Sequence, residues 1–202
     1  SAVVFGATGE VGRQVVRALL ELDVFERVTT LGRRPLVYDG PNSERLVQKT
    51  GINFDTAESD PQFANDMRDH HFAFSCIGTT RAKAGSAEAF YKVDHDYAVN
   101  SAKAAHVAGV KHFTLVSASM VVQTKMLLYP RTKLETEEDI SKIGFEKTVI
   151  MRPALLESDR QEQRAGEKLA KWMLPMLKKV MSPKKLSIET SVLGDAMVWN
   201  AI

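Results

Sequence analysis

Short apolar runs, each closed by glycine, serine or a charged turn, alternate along the chain with stretches whose apolar positions recur every three or four residues. Ala2 to Phe5 is the first run, and Val15, Val16 and Leu19 behind it share one face of a helix. Val28 to Leu31 reads as a second strand. A weak third runs from Gln48 to Phe54, where Ile52 and Phe54 alternate with polar residues. Pro61 to Asp69 reads as a short helix capped by Asp60 with proline at its first position. Phe72 to Ile77 is apolar enough for a sheet covered on both sides. It stops at Gly78-Thr79-Thr80 and a loop from Arg81 to Gly85. A long helix follows from about Ala87 to Val107, with Phe90, Tyr97, Ala98, Ala102 and Ala105 near one face and Gly109 just past its end. His112 to Val116 and Thr148 to Met151 are the fifth and sixth strands, Lys185 to Thr190 a last short one, and Val192 to Ile202 opens a closing helix. Strand and helix in regular alternation predict an α/β fold, a doubly wound parallel sheet of six or seven strands.

Composition narrows this picture. The 202 residues fit one domain, residues 1–202, in which 154–190 forms a small substrate-side lid segment. A formal charge of +2 gives no reason to expect a nucleic-acid partner. One cysteine, Cys76, excludes an internal disulfide framework and suits a reducing compartment. Cys76 itself reads as a small buried apolar residue rather than a nucleophile. His95, His106 and His112 show no ligand spacing, so no metal site is expected. No apolar run approaches the roughly twenty residues that span a bilayer. The chain opens at Ser1, directly on its first strand, which leaves an upstream targeting segment open. A cytoplasmic location, peripheral to an organelle membrane at most, is the expectation.

The chemistry begins where the first strand ends, at Gly6-Ala7-Thr8-Gly9-Glu10-Val11-Gly12. Gly6 takes the backbone angles of a tight turn, Gly9 keeps side chains away from a pyrophosphate, and Gly12 lets the new helix pack on the strand. Amides of Gly9, Glu10 and Val11 at the positive end of the helix dipole would then face phosphate oxygens, with the Thr8 hydroxyl beside them. The spacing is G-x-x-G-x-x-G rather than the usual G-x-G-x-x-G, but strand, turn and helix surround it. At the end of the second strand, where an acid would bind the ribose hydroxyls of NAD, Arg33 and Arg34 stand instead. Their guanidinium forks match a 2′-phosphate, so the sequence favours NADP(H) in a Rossmann fold.

Tyr129 and Lys133 stand four residues apart, after the fifth strand and its Ser117-Ala118-Ser119. Pro130 suits the first turn of a helix there, with Lys133 one turn along the same side as Tyr129. A free tyrosine titrates near pH 10, and a neighbouring ammonium favours the phenolate, bringing it towards the working range. Lys133 can also hold the nicotinamide ribose while a serine at the end of the fifth strand polarises the substrate oxygen.

These residues resemble the short-chain dehydrogenase/reductase superfamily in its atypical branch. More narrowly, the chain looks like the Tat-interacting-protein oxidoreductase family, whose human member is also described as a metastasis suppressor. The likeness rests on G-A-T-G-E-V-G, on L-G-R-R at 31–34, on G-T-T-R-A-K-A-G at 78–85, on V-D-H-D-Y at 93–97, on Y-P-R-T-K at 129–133 and on R-P-A-L-L-E-S-D-R-Q-E-Q-R at 152–164. The resemblance implies that Thr8, Gly9, Glu10, Val11, Arg33 and Arg34 hold NADPH, with Ile77 and Gly78 beside its adenosine half and Lys83 near them. It implies Tyr129 as acid or base and Lys133 as its partner. The backbone after Pro153, as far as Leu156, would meet the carboxamide, and Arg164 would approach from the far side. Ser119 matches the serine position of extended dehydrogenases better than Ser117 does, and human-type relatives look to carry lysine there.

Residues 172–181, W-M-L-P-M-L-K-K-V-M, carry apolar side chains beside Lys168, Lys171, Lys184 and Lys185, with Pro175 interrupting any helix. They read as a lid over the substrate end of the crevice or as a docking surface for a membrane or protein partner. Two functions follow. One is an NADP(H)-dependent oxidoreductase that passes hydride to or from a small-molecule carbonyl or alcohol substrate. The other is an NADPH-bound regulator that acts through a protein partner with little or no catalysis.

Overall fold

The computed structural model describes residues 1–119, 127–153, 155–157 and 187–202. Strand β1 (Ala2–Phe5) is buried along its whole length, as four consecutive apolar residues require when both faces of a sheet are covered. It lies between β2 (Val28–Leu31) and β4 (Phe72–Ser75), with Phe5 opposite Leu31 on one side and Ser75 on the other. Outside these come β3 (Leu46–Lys49) on one flank and β5 (His112–Val116) and β6 (Lys147–Met151) on the other. All pairings are parallel, and the order is β3-β2-β1-β4-β5-β6. The order reverses between β1 and β4, so the carboxyl ends of these two strands border a crevice.

Alternation along β1 divides the core. Val3 and Phe5 pack with Phe113, Phe63 of helix α2 (Pro61–Asn65), Ala98, Ala102 and Ala105 of α5 (Tyr97–Val107), and Ile140 of α6 (Leu128–Ser141). Ala2 and Val4 pack on the opposite face with Val15, Val16 and Leu19 of α1 (Glu10–Glu21) and Leu193 and Met197 of the last helix, α7 (Thr190–Ala201). Helices α1 and α7 are also joined by an Arg17–Asp195 ion pair of 2.6 Å.

Several boundaries differ from the sequence pattern for local reasons. Strand β3 is an edge strand that ends at Lys49. Gly51 then turns the chain at φ +73°, and Ile52 and Phe54 reach the core from the loop. Strand β4 closes at Ser75, and α2 ends at Asn65, while Asp60 caps it by accepting the Gln62 amide at 2.9 Å. The loop at 81–85 contains a short helix, α3 (Arg81–Ala84), with the Thr80 hydroxyl accepting the Lys83 amide at 3.2 Å. The long helix after it is interrupted: α4 (Ala87–Tyr91) passes through a π-helical turn at Lys92–Asp96 before α5. Strand β7 (Leu155–Glu157) pairs in parallel with β8 (Ser187–Glu189) as a separate two-stranded sheet. Residues 172–181, and most of the proposed lid, lie outside the described residues. Among the described residues no helix is long and apolar enough to cross a membrane.

Candidate active site

Strand β1 delivers the chain into Gly6 at φ +74°, a conformation that glycine adopts without strain. A Cβ there would lie 2.5 Å from the Cys76 carbonyl oxygen, and one on Gly12 would collide with the Gly6 carbonyl. The turn therefore packs straight onto the segment leaving β4 and onto its own helix. Gly9 is the N-cap of α1, and no side chain caps the helix. The Gly9 amide, expected to face a phosphate, donates instead to the Gly6 carbonyl at 3.0 Å, because the turn closes on itself. Glu10 and Val11 begin the helix behind it, where amides have no intrahelical acceptor. Thr8 is half-buried, its carbonyl accepting from Arg13 Nε at 3.3 Å.

Arg33 and Arg34 are exposed beyond the carboxyl end of β2. Their backbone is fixed on both sides. The Gly32 amide donates to Lys49 O at 3.1 Å, and Leu36 exchanges two bonds with the Gln48 side chain at 2.8 and 2.9 Å. Arg33 shares this corner with Tyr97. Burial raises the Tyr97 phenol, Asp55 adds to the rise, and the Arg33 charge opposes it. Lys92 pairs with Asp55 at 2.7 Å on the same side.

Beyond β4 the chain passes buried Ile77 and exposed Gly78, and the Thr79 amide donates to Asp94 Oδ2 at 2.8 Å. Asp94 is 1% exposed and lies in the π-helical turn, an irregularity that re-aims side chains within a helix. Its Oδ1 stands 2.6 Å from Lys133 Nζ of α6, and its carbonyl accepts the Thr136 hydroxyl at 3.1 Å. Lys133 Nζ is 6.0 Å from the centre of the Tyr129 ring, which lies 5.8 Å from the ring of Phe90. A Cβ on Gly78 would meet Asp94 Oδ1 at 3.5 Å and Lys133 Nζ at 3.7 Å. Gly78, Asp94, Lys133 and Tyr129 thus meet at the carboxyl end of the sheet. Burial pushes the Tyr129 phenol above its ordinary value; Lys133 pulls it down and Asp94 pushes it up again. The lysine thus acts in the expected direction, and burial, the largest cause, outweighs it. Burial also raises the Asp94 carboxyl, against the opposing pull of Lys133 and the Thr79 amide.

The two serines fall in different places. Ser117 is buried, its hydroxyl without a hydrogen-bond partner among the described residues, whereas Ser119 is exposed and its amide donates to Pro153 O at 2.9 Å. The segments after β5 and β6 are laced together there, which sets buried Pro153 beside Ser119. Arg152 just before it pairs with Glu137 of α6 at 2.6 Å. Leu156 and Lys83 are exposed, on β7 and α3 respectively. Arg160 and Arg164 lie outside the described residues. Cys76 packs on the core beside Val4 and Phe74, and burial pushes its thiol up to about 12, which makes it a poor nucleophile. Asp94 and Glu137 were missed as site residues. The signal for Asp94 was present: Phe90, Asp94 and Ala98 fall four apart on one helix face, so an acid sits in an apolar stripe.

The glycine cradle, the uncapped start of α1 and the space over Gly78 fit a dinucleotide lying across the β1–β4 switch point. The model of the NAD(P)H-binding family matches residues 6–173. The chain is similar to Protein HTATIP2 of Rattus norvegicus, 35% identical over 171 residues, which are 85% of this chain and 69% of that protein. The chain belongs to the Tat-interacting-protein family of atypical short-chain dehydrogenases/reductases. This atypical dehydrogenase/reductase is also similar to Protein fmp52, mitochondrial, of Aspergillus fumigatus, 37% identical over 186 residues, covering 92% of this chain and 79% of that one. Among solved structures, MoeE5 in complex with UDP-glucose and NAD superposes with a TM-score of 0.73 over 100% of this chain and 71% of that chain. At 16% identity that likeness is one of fold, and the nucleotide sugar is a property of MoeE5.

Proposed function

We propose that the chain is an NADP(H)-dependent oxidoreductase acting on a carbonyl or alcohol substrate. The observation that carries this reading is Lys133 Nζ standing over Gly78 at the carboxyl end of the sheet and 6.0 Å from the centre of the Tyr129 ring. The bound dinucleotide supplies or accepts the hydride. Glu10 and Val11 amides at the start of α1 hold its pyrophosphate, with the Thr8 hydroxyl beside them. Arg33 and Arg34 hold the 2′-phosphate, a role favoured by their exposure on a backbone fixed from both sides. Tyr129 exchanges the proton with the substrate oxygen, and the exposed Ser119 hydroxyl donates to the same oxygen. Lys133, ion-paired with Asp94 at 2.6 Å, holds the nicotinamide ribose with its ammonium. Ile77 and Gly78 lie beside the adenosine half with Lys83 near them, and the backbone after Pro153, as far as Leu156, meets the carboxamide. Single-cysteine composition and the mitochondrial designation of the fungal relatives together support a reducing compartment at an organelle surface.

Titration of the protein with NADPH and with NADH, followed by fluorescence and repeated on the Arg33→Ala, Arg34→Ala double variant, tests the cofactor. Preference for NADPH that the double variant abolishes is expected. Equal affinity for both dinucleotides in the wild type would remove the 2′-phosphate assignment. For the chemistry, Tyr129→Phe should reduce turnover of a carbonyl substrate by at least about a hundredfold while leaving NADPH affinity within about threefold. Full turnover in the variant would remove Tyr129 from the reaction.

A further inference from the structure

Strand β3 leaves the sheet beside the arginines assigned above to a 2′-phosphate, and the loop it enters is acidic. The Ile52 amide donates to the Gly32 carbonyl at 3.2 Å, so this loop runs against the backbone just ahead of Arg33, and Asp55 and Glu58 follow on it. The Phe54 ring packs on that of Tyr97 of α5, 5.5 Å between centres, which ties the loop to the helix. Burial raises the Tyr97 phenol, and the charges of Lys92 and Arg33 both reach it and oppose the rise. An acid in such a corner is a competitor, because a carboxylate beside a guanidinium pairs with it in the same forked geometry as a phosphate does. Among the described residues, however, it is Lys92 and not Arg33 that pairs with Asp55, at 2.7 Å. We propose that Lys92 is a positioning residue for the choice of cofactor: by occupying Asp55 it leaves Arg33 to the 2′-phosphate, and so supports a preference for NADPH over NADH. This rests on the NADP(H) reading given above and adds a residue, outside the glycine turn and the arginine pair, on which the discrimination depends.

The fold explains why this lysine has the task. Lys92 opens the π-helical turn, an irregularity that re-aims side chains, and Tyr97 follows directly on that turn. The loop after β3 and the start of α5 are therefore joined twice, by the two rings and by the Lys92–Asp55 pair. Both members of the pair are about half exposed, so the bond is reversible and its effect is modest and sensitive to salt. NADH has no 2′-phosphate, which makes it indifferent to the partner that Arg33 takes. Glu58, the next acid of the loop, is met in the same way by Lys103 of α5, at 3.1 and 3.2 Å. Lys103 lies about three turns further along the helix, towards the amino end of the sheet and away from Arg33. It has the same charge in the same kind of pair, and it lines the same groove as Lys92. A general effect of surface charge would act through both lysines, whereas the role assigned to Lys92 depends on its place.

The test is a fluorescence titration with NADPH and with NADH, at about 0.01 M and about 0.15 M salt. It compares wild type with Lys92→Met, Asp55→Asn, the Lys92→Met, Asp55→Asn double variant and Lys103→Met. At the lower salt Lys92→Met should weaken NADPH binding by about threefold to fivefold, and by less at the higher salt, while NADH affinity stays within about 1.5-fold. In the Asp55→Asn background Lys92→Met should cost nothing further, because no carboxylate remains to divert Arg33. Lys103→Met should keep the wild-type preference. A wild-type preference for NADPH that Lys92→Met leaves intact would overturn the proposal. So would an equal loss for both dinucleotides, the mark of a structural role, or the same loss in Lys103→Met. A loss that persists in the Asp55→Asn background would overturn it too, since Lys92 would then act on the cofactor itself. Equal wild-type affinity for the two dinucleotides would remove the 2′-phosphate reading and this inference with it, so wild type alone tells the two failures apart.

Discussion

Four glycines stand around the β1–β4 crevice, and Gly6, Gly12 and Gly78 among them are not equivalent. At Gly6 an added methyl group meets two costs at once: a left-handed backbone at φ +74° and a contact of 2.5 Å with the Cys76 carbonyl, a backbone atom that cannot step aside. Gly12 is closed in the same way by the Gly6 carbonyl. At Gly78 the same methyl would sit at ordinary contact distance from Asp94 and Lys133, 3.5 and 3.7 Å away, with no adverse backbone angle. The two kinds of glycine make opposite predictions. Gly6→Ala should destabilise the fold by about 3 kcal/mol or more in urea unfolding, combining backbone strain with overpacking. Gly78→Ala should leave stability within about 0.5 kcal/mol of wild type. It should nevertheless weaken NADPH binding at least tenfold, because the methyl would take space on the cofactor side of the Asp94–Lys133 pair. If Gly78→Ala binds NADPH normally, the dinucleotide does not lie over this loop.

Elements that could be recognised from sequence were those whose signal is local. Strands β1, β2 and β5 follow the apolar runs to the residue, because a buried parallel strand has no polar alternation to blur its ends. The glycine turn and the Tyr129–Lys133 spacing are likewise contiguous. Where tertiary contacts decided the outcome, the pattern misled: Ile52 and Phe54 alternate like a strand yet reach the core from a loop. The π-helical turn leaves no mark in helix periodicity, and the Asp94–Lys133 pair joins positions 39 apart through the sheet topology. Helix α7 shows the same dependence on context at Gly194. On propensity alone, Gly194→Ala within a helix should stabilise by up to about 1 kcal/mol. The Cβ would, however, lie 2.8 Å from the Gln14 carbonyl carbon of α1, so the two helices must part. Overpacking of this kind costs about 1–3 kcal/mol and outweighs the propensity gain. A net destabilisation of about 1 kcal/mol is expected by thermal or urea unfolding. A more stable Gly194→Ala variant would show that the α1–α7 contact relaxes freely.

At the scale of the molecule the two ends of the sheet do different work. The carboxyl end carries the glycine turn, Gly78, Ser119 and the Tyr129 cluster, all on connecting segments. The amino end is closed by backbone bonds between successive crossovers: Ala2 N to Arg27 O at 3.0 Å, His71 N to Ser1 O at 3.2 Å and Lys147 N to Lys111 O at 3.2 Å. Beneath these, buried His70 bridges the segment before β4 to β2. Its Nε2 lies 2.8 Å from the Thr29 hydroxyl, and its Nδ1 lies 3.1 and 3.0 Å from the Met67 and Arg68 carbonyls. Two carbonyls on Nδ1 assign the proton to that nitrogen, which leaves Nε2 to accept from Thr29, so the neutral ring is fully bonded. Burial, with the Arg27 charge second, holds the His70 imidazolium below its ordinary range. The consequence for stability has a definite sign. Unfolded His70 takes up a proton near pH 6.5 while the folded ring resists until a lower pH. Its contribution is therefore fully present above about pH 6.5 and is lost as pH falls through the folded value. Most carboxylates titrate lower, near pH 4, so the difference between wild type and His70→Gln in urea unfolding between roughly pH 7 and pH 5 isolates this term. Wild type should lose stability across that window, and His70→Gln, which keeps a hydrogen-bonding side chain without the titration, should start less stable but follow a flatter course. Parallel curves for the two proteins would place the pH dependence elsewhere in the molecule. A flattened curve with unchanged NADPH affinity would show that the amino end sets stability independently of the chemistry at the carboxyl end.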